Sequence, residues 1–297
     1  MNKIDFKGVW TAIITPMNDD GSVDYPSLEQ MVEQQVKARV AGIVSVGTTG
    51  ESPTLSKSEH IEVIKQTAKF VNGRIALLAG TGSNCTQEAV RYTKEADIDG
   101  VDGFLSVAPY YNKPSQEGVF RHFAEIAKIT EKPILLYSIP GRCGIGIEND
   151  TAVRLREAFP NFCALKEAGG KVEKVIDLHK KAGDAISILS GDDGLTLEFM
   201  KAGARGVVSV ASNLIPAEMV EFVDLIENGK FDQAEKINAK YAKFFKDLFI
   251  EPNPVPAKTA LAFEKMIKSP FVRLPLCEMR PQNAEKLLNT CKEIGLC

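Results

Sequence analysis

The sequence predicts an α/β fold: a (β/α)8 TIM barrel with a C-terminal helical annex. Three observations predict it. Eight short apolar runs recur between residues 9 and 211, with helical patterning between them, and alternation of that kind means parallel βαβ units. The runs lack strict apolar–polar alternation, as expected of strands covered on both faces. Beyond residue 220 the strand-like text stops and helical spacing continues. Eight units over roughly 210 residues fit a closed barrel. A doubly wound open sheet is the alternative, but "GTGSNC" at 80–85 lacks the third glycine of a dinucleotide fingerprint.

The runs are "VWTAIIT" (9–15), "GIVSVG" (42–47), "RIALLAG" (74–80), "GFLSVAP" (103–109), "PILLYSI" (133–139), "FCALKE" (162–167), "ISILSG" (186–191) and "GVVSVA" (206–211). Most are closed by Gly or Pro, which punctuate strands. Leu28, Met31, Val32 and Val36 repeat at helical spacing, as do Ile61, Ile64, Ala68 and Val71, and then Val119, Phe123, Ile126 and Ala127. Apolar residues three and four apart run through "KFDQAEKINAKYAKFFKDLF", and the prolines of "EPNPVP" at 252, 254 and 256 then force a break. The expected division is a catalytic barrel over 1–225 and a helical part over 226–297.

The totals exclude several classes. With 36 Lys and Arg against 39 Asp and Glu, the net charge is -3. No basic stripe appears, so no nucleic-acid partner is expected. No apolar run approaches the roughly 20 residues of a membrane helix, and "MNKIDFKGVW" lacks the apolar core of a secretory signal. Cys85, Cys143, Cys163, Cys277, Cys291 and Cys297 form no CxxC pair and read as reduced thiols in a cytosolic protein. His60, His122 and His179 are scattered without ligand spacing, so no metal is expected.

In a barrel the active site lies at the C-terminal ends of the strands. Polar residues at those ends include Thr15, then Thr48, Thr49 and Glu51 of "GTTGE", Tyr110 and Tyr111 of "APYYNKP", Tyr137, Arg142 of "PGRCG", Lys166 with Glu167, and "SGDD". Lys166 admits two readings. Among apolar walls its amine is favoured in the neutral form, and a neutral amine adds to ketones and aldehydes to give a Schiff base. Alternatively the side chain snorkels outward to pair with Glu167 or Asp192. Tyr137 ends the neighbouring strand, where its phenol either carries protons for that chemistry or is a core tyrosine bonded to backbone. The "GTTGE" turn offers N–H groups and two hydroxyls for a carboxylate, or is a plain βα turn. Without a "GK[ST]" ending it is no phosphate loop. Tyr111 stands in a loop, where aromatics often serve interfaces or packing. Arg142 either grips a carboxylate in two-point fashion or makes a surface salt bridge.

Taken in order, "GTTGESPTL", "APYYNKPSQEG", "LYSIPGRCG", "LKEAGG", "LSGDD", "GVVSV" and "EPNPVPAK" span nearly the whole chain. Together they resemble the Schiff-base-forming family of pyruvate lyases and synthases, which includes N-acetylneuraminate lyase. The resemblance implies Lys166 as the Schiff-base lysine and Tyr137, Thr48 and Tyr111 as the proton relay, with Tyr111 reaching the neighbouring subunit's site. It implies Thr49 and the backbone of Val208 as contacts of the pyruvate carboxylate. Arg142 matches the arginine that places the carboxylate of aspartate semialdehyde. That residue separates the condensing branch from the sialate and sugar-acid aldolases, which remain the alternative beside a non-catalytic keto-acid-binding barrel. No cofactor is expected, since the protonated imine is the electron sink. The implied setting is lysine and diaminopimelate biosynthesis, in a cytoplasmic homotetramer built as a dimer of dimers.

Ser138 and Cys143 depart from the family's usual Asn and Thr. Ser52, Pro53, His60, Asn84, Glu88 and Tyr110 match a regulatory lysine site at a dimer interface. Lys57 stands there in place of a common histidine, so weak or absent lysine inhibition is expected.

Overall fold

The computed structural model describes residues 4–296. Cys297 and the first three residues of the N-terminal stretch lie outside the described residues. Among those described, eight parallel strands close a barrel in sequence order. They are β1 Gly8–Ala12, β2 Gly42–Ser45, β3 Ala76–Gly80, β4 Gly103–Val107, β5 Ile134–Ser138, β6 Phe162–Glu167, β7 Ser187–Ser190 and β8 Gly206–Ser209. Seven fall within the apolar runs, and β1 starts one residue before its run. The runs overreach at their ends, because residues such as Ile14 and Val46 are buried in the loops that leave the strands.

Helices follow each strand: α1 Tyr25–Ala38, α2 Lys57–Val71, α3 Thr86–Ala96, α4 Gln116–Ala127, the single turn α5 Pro140–Cys143, α6 Asn149–Ala158, α7 Val172–Ala182, α8 Thr196–Lys201 and α9 Pro216–Glu227. Then come α10 Phe231–Asp247, α11 Val255–Phe263 and α12 Pro281–Glu293. The expected boundary at 225/226 falls in the last turn of α9. Local signals set several starts. Ser56 and Glu59 form a reciprocal capping box on α2. Asp24 caps α1, and Pro26 stands in its first turn.

Two apolar cores result. Trp10, Val44, Leu78, Leu105, Leu135, Ala164, Leu189 and Val208 point inward and fill the barrel. The alternate residues, such as Ile43, Leu77, Phe104 and Leu165, face the helices. The period-2 split is what a two-sided strand requires. Phe244, Leu248, Leu261 and Leu287 of the C-terminal helices belong to that outer core, so the annex shares the barrel's apolar packing. Glycine admits the closest backbone approach at the seam. A Cβ on Gly206 would lie 2.1 Å from the carbonyl oxygen of Gly8.

Candidate active site

Strand register places the two central residues side by side. On β5 and β6, Tyr137 pairs with Lys166 and Ser138 with Glu167. Lys166 shares the inward parity of Ala164, so its side chain enters the barrel mouth and is only 6% exposed. Its Nζ lies 4.1 Å from the centroid of the Tyr137 ring. Burial pulls its pKa from 10.5 down to about 7, against an opposing pull from the buried Asp193 carboxylate; Arg142 adds to the lowering. The amine is therefore a nucleophile near neutrality.

The outward alternative fails on geometry. Glu167 points to the helix layer, where Lys174 of α7 holds it at 2.6 Å. Lys174 also donates to Ser138 at 3.0 Å. Ser138 and Glu167 thus lie on the opposite face from Tyr137 and Lys166, and Ser138 takes part in packing rather than in the mouth. Asp192 is engaged locally, accepting from the N–H of Gly194 at 2.9 Å.

Tyr137 is 4% exposed. Burial raises its pKa well above 10, while Arg142 and a hydrogen bond with the Thr48 side chain pull the other way. The phenol keeps its proton at neutral pH.

Thr48 and Thr49 sit in the turn after β2. Val46 and Glu51 bracket that turn with left-handed backbone, φ +55° each, a conformation uncommon outside glycine. Gly80 permits the bend, since a Cβ there would lie 2.3 Å from the Val46 carbonyl oxygen. Thr15 fastens the turn by donating to the Gly50 carbonyl at 2.7 Å. Thr49 is buried, and its Oγ1 is paired with Nδ2 of Asn253 at 2.9 Å. Because the amide can only donate there, the Thr49 hydroxyl proton is left to donate elsewhere.

Arg142 lies on α5 at the rim and is exposed. It donates to the Asn253 carbonyl at 3.3 Å. Among the described residues it has no carboxylate partner, so the surface-salt-bridge reading does not hold. A cavity of about 400 Å³ is lined by Thr48, Tyr137, Arg142 and Cys143 together with Ser52, Pro53, Glu88 and Tyr110, while Lys166 and Thr49 are not among its lining residues. Burial lifts the Cys143 thiol to about 11, which keeps it unreactive.

Other expected residues stand apart from this cavity's wall. Val208 faces the barrel interior. Tyr111 is 88% exposed with φ +72°, and its N–H donates to the Cys143 carbonyl at 3.3 Å. Lys57 is exposed at the start of α2. His60 is buried, bonded to the Gly80 carbonyl at 2.8 Å and stacked on Tyr92. Asn84 accepts from Asn112 through its carbonyl at 2.9 Å.

Sequence reasoning gave no role to Asp193 or Asn253. Asp193 is 1% exposed, accepts from the N–H groups of Val210 and Ala211 at 3.0 Å, and is raised by burial to about 6. Its signal was "SGDD" at a strand end. Asn253 comes from a segment 204 residues beyond Thr49, and only the proline-bracketed motif marked it.

Among the described residues no cluster of His, Cys, Asp and Glu could hold a metal ion, and no helix is long and apolar enough to cross a membrane.

A profile of the dihydrodipicolinate synthetase family matches residues 5–294. A 4-hydroxy-tetrahydrodipicolinate synthase of Persephonella marina is 46% identical over 291 residues, 98% of this chain and 99% of the relative. The 4-hydroxy-tetrahydrodipicolinate synthase structure from Methylacidiphilum fumariolicum SolV superposes with a TM-score of 0.95 at 52% identity, covering 98% of this chain and 96% of that one. The pyruvate complex of the chloride-inhibited dihydrodipicolinate synthase from Acinetobacter baumannii superposes with a TM-score of 0.96 at 42% identity, over 99% of this chain and 100% of that one.

Proposed function

The chain belongs to the dihydrodipicolinate synthetase family, and we propose that it condenses pyruvate with aspartate 4-semialdehyde to give 4-hydroxy-tetrahydrodipicolinate through a Schiff base on Lys166. It is a lyase of the class I aldolase type, acting in lysine and diaminopimelate biosynthesis. The observation that carries the site assignment is the buried Lys166 amine, brought down to about pH 7 and lying against the Tyr137 ring.

The reaction then follows from the residues in place. The Lys166 amine adds to the pyruvate ketone. Tyr137, which holds its proton, protonates the carbinolamine oxygen, and water leaves. The iminium withdraws electrons, so the adjacent methyl gives up a proton and an enamine forms. That carbon attacks the aldehyde, whose own carboxylate Arg142 grips. The substrate's amine then adds to the imine carbon, and Lys166 leaves as the free amine. Thr48 passes protons between Tyr137 and the mouth, and Tyr111 of a neighbouring subunit completes the relay. Thr49 and the Val208 backbone hold the pyruvate carboxylate. No step calls for a cofactor.

The acting form is a homotetramer of tight dimers in the cytoplasm, where the free thiols of Cys85, Cys143 and Cys277 would persist. Ser52, Pro53, His60, Asn84, Glu88 and Tyr110 form a regulatory region in which Lys57 disfavours lysine. A half-effect at submillimolar lysine would refute that.

Borohydride reduction with pyruvate tests the core of the reading. A mass gain on Lys166 supports it, and no gain favours a keto-acid-binding barrel. The Arg142 guanidinium, which has no carboxylate partner among the described residues, favours an acceptor with its own carboxylate over an acyl sugar. In a panel of aldehydes, turnover confined to sugar-type acceptors would move the chain to the aldolase branch.

A further inference from the structure

The C-terminal helices carry an ion pair that the chemistry above does not use. Lys258 on α11 and Glu51 at the end of the "GTTGE" turn are in direct contact, and their side chains are 0% and 1% exposed. Lys258 also donates to the Phe271 carbonyl at 2.8 Å, and the second oxygen of Glu51 accepts the N–H of Arg273 at 3.1 Å. A buried ion pair is weak evidence for stability, because desolvation offsets the attraction, and an apolar pair of similar volume often serves as well. Its location suggests another role. Glu51 is the left-handed residue that closes the turn bearing Thr48 and Thr49, and Val46 opens that turn in the same strained conformation. A segment bracketed in this way holds its shape only when its surroundings over-determine it. Four attachments do so here: Thr15 on Gly50, Asn253 on Thr49, and Lys258 and the Arg273 N–H on Glu51. Three of the four come from residues 253–273, beyond the barrel.

We propose that Lys258 is a positioning residue, which through Glu51 fixes the turn so that the Thr48 and Thr49 hydroxyls face the barrel mouth. The helical annex thereby sets the pyruvate subsite. The proposal rests on the reading that Thr49 holds the pyruvate carboxylate. Lys258 touches no reacting atom, and its influence falls on pyruvate rather than on the aldehyde, which Arg142 receives from the rim.

The test compares Glu51→Gln, the double replacement Glu51→Gln/Lys258→Met, and Thr49→Val in the full chain. Half-saturation by pyruvate is measured in borohydride trapping and in steady-state turnover, beside KM for the semialdehyde. Glu51→Gln keeps an acceptor for the Arg273 N–H and is the variant to read if the double replacement does not fold. The expected result is a rise in pyruvate half-saturation of about tenfold or more, with the semialdehyde KM within about twofold. Unchanged pyruvate half-saturation in a folded Glu51 variant overturns the proposal, as does an equal rise in both constants. If Thr49→Val alone leaves pyruvate half-saturation unchanged, the reading of Thr49 fails, whatever the Glu51 variants do. If Thr49→Val raises it and the Glu51 variants do not, only the role of Lys258 falls.

Discussion

At the scale of single residues, Lys166 is an amine whose charge costs more inside than outside. Lys166 loses its proton near pH 7 in the folded chain and near 10.5 when unfolded. Between those values the unfolded chain binds the extra proton, so this group makes stability rise with pH through that window. Its cost is fully present below about 7. Lys166→Met should therefore raise the melting temperature more at pH 6 than at pH 10, and a shift equal at both would contradict the assignment. The borohydride trapping rate should climb with an apparent pKa near 7, and a climb centred near 10 would mean a solvated amine. Arg142 lowers the same pKa, so Arg142→Ala should move the trapping profile to higher pH. It should also raise KM for the semialdehyde by roughly 10- to 100-fold, the range for losing a hydrogen bond to a charged group. Trapping at saturating pyruvate should survive.

Among the elements, strand parity does the sorting. Tyr137 and Lys166 face the mouth because Ser138 and Glu167, one step on, face α7 and are held there by Lys174. A one-residue slip would bury Glu167 in the barrel and push Lys166 into the helix layer. The closure of β1 on β8 is the most constrained seam, with Gly8 paired to Gly206. A methyl at 206 would meet backbone 2.1 Å away, and backbone cannot turn aside as a side chain can. Gly206→Ala should cost about 3 kcal/mol or more, the upper end for overpacking, measured by denaturant unfolding. A loss under about 1 kcal/mol would show that the seam opens easily. The strands themselves were legible in the sequence, since both-face burial writes continuous apolar runs. Their ends were not, because the loops at the mouth are also buried and read as strand.

For the whole molecule, the annex and the barrel are one packed body, with Phe244, Leu261 and Leu287 in the core that surrounds the strands. Asn253 and Lys258 reach from it to the turn after β2. Tyr111, in the loop after β4, is 88% exposed. If a neighbouring subunit receives it, Tyr111→Phe should lower turnover while leaving sedimentation unchanged, and the wild type should sediment as an oligomer at assay concentration. A monomer with full turnover would remove Tyr111 from the relay.

The sequence by itself determined the barrel and the order of its strands, and marked Lys166, Tyr137 and Arg142 as candidates, because these follow from local pattern and from residue types at strand ends. Tertiary structure alone decided which way Lys166 points, that Glu167 belongs to Lys174, and that Asn253 and Lys258 serve a turn some 200 residues earlier. Burial and long-range pairing depend on what the rest of the chain brings alongside, and no local spacing records that.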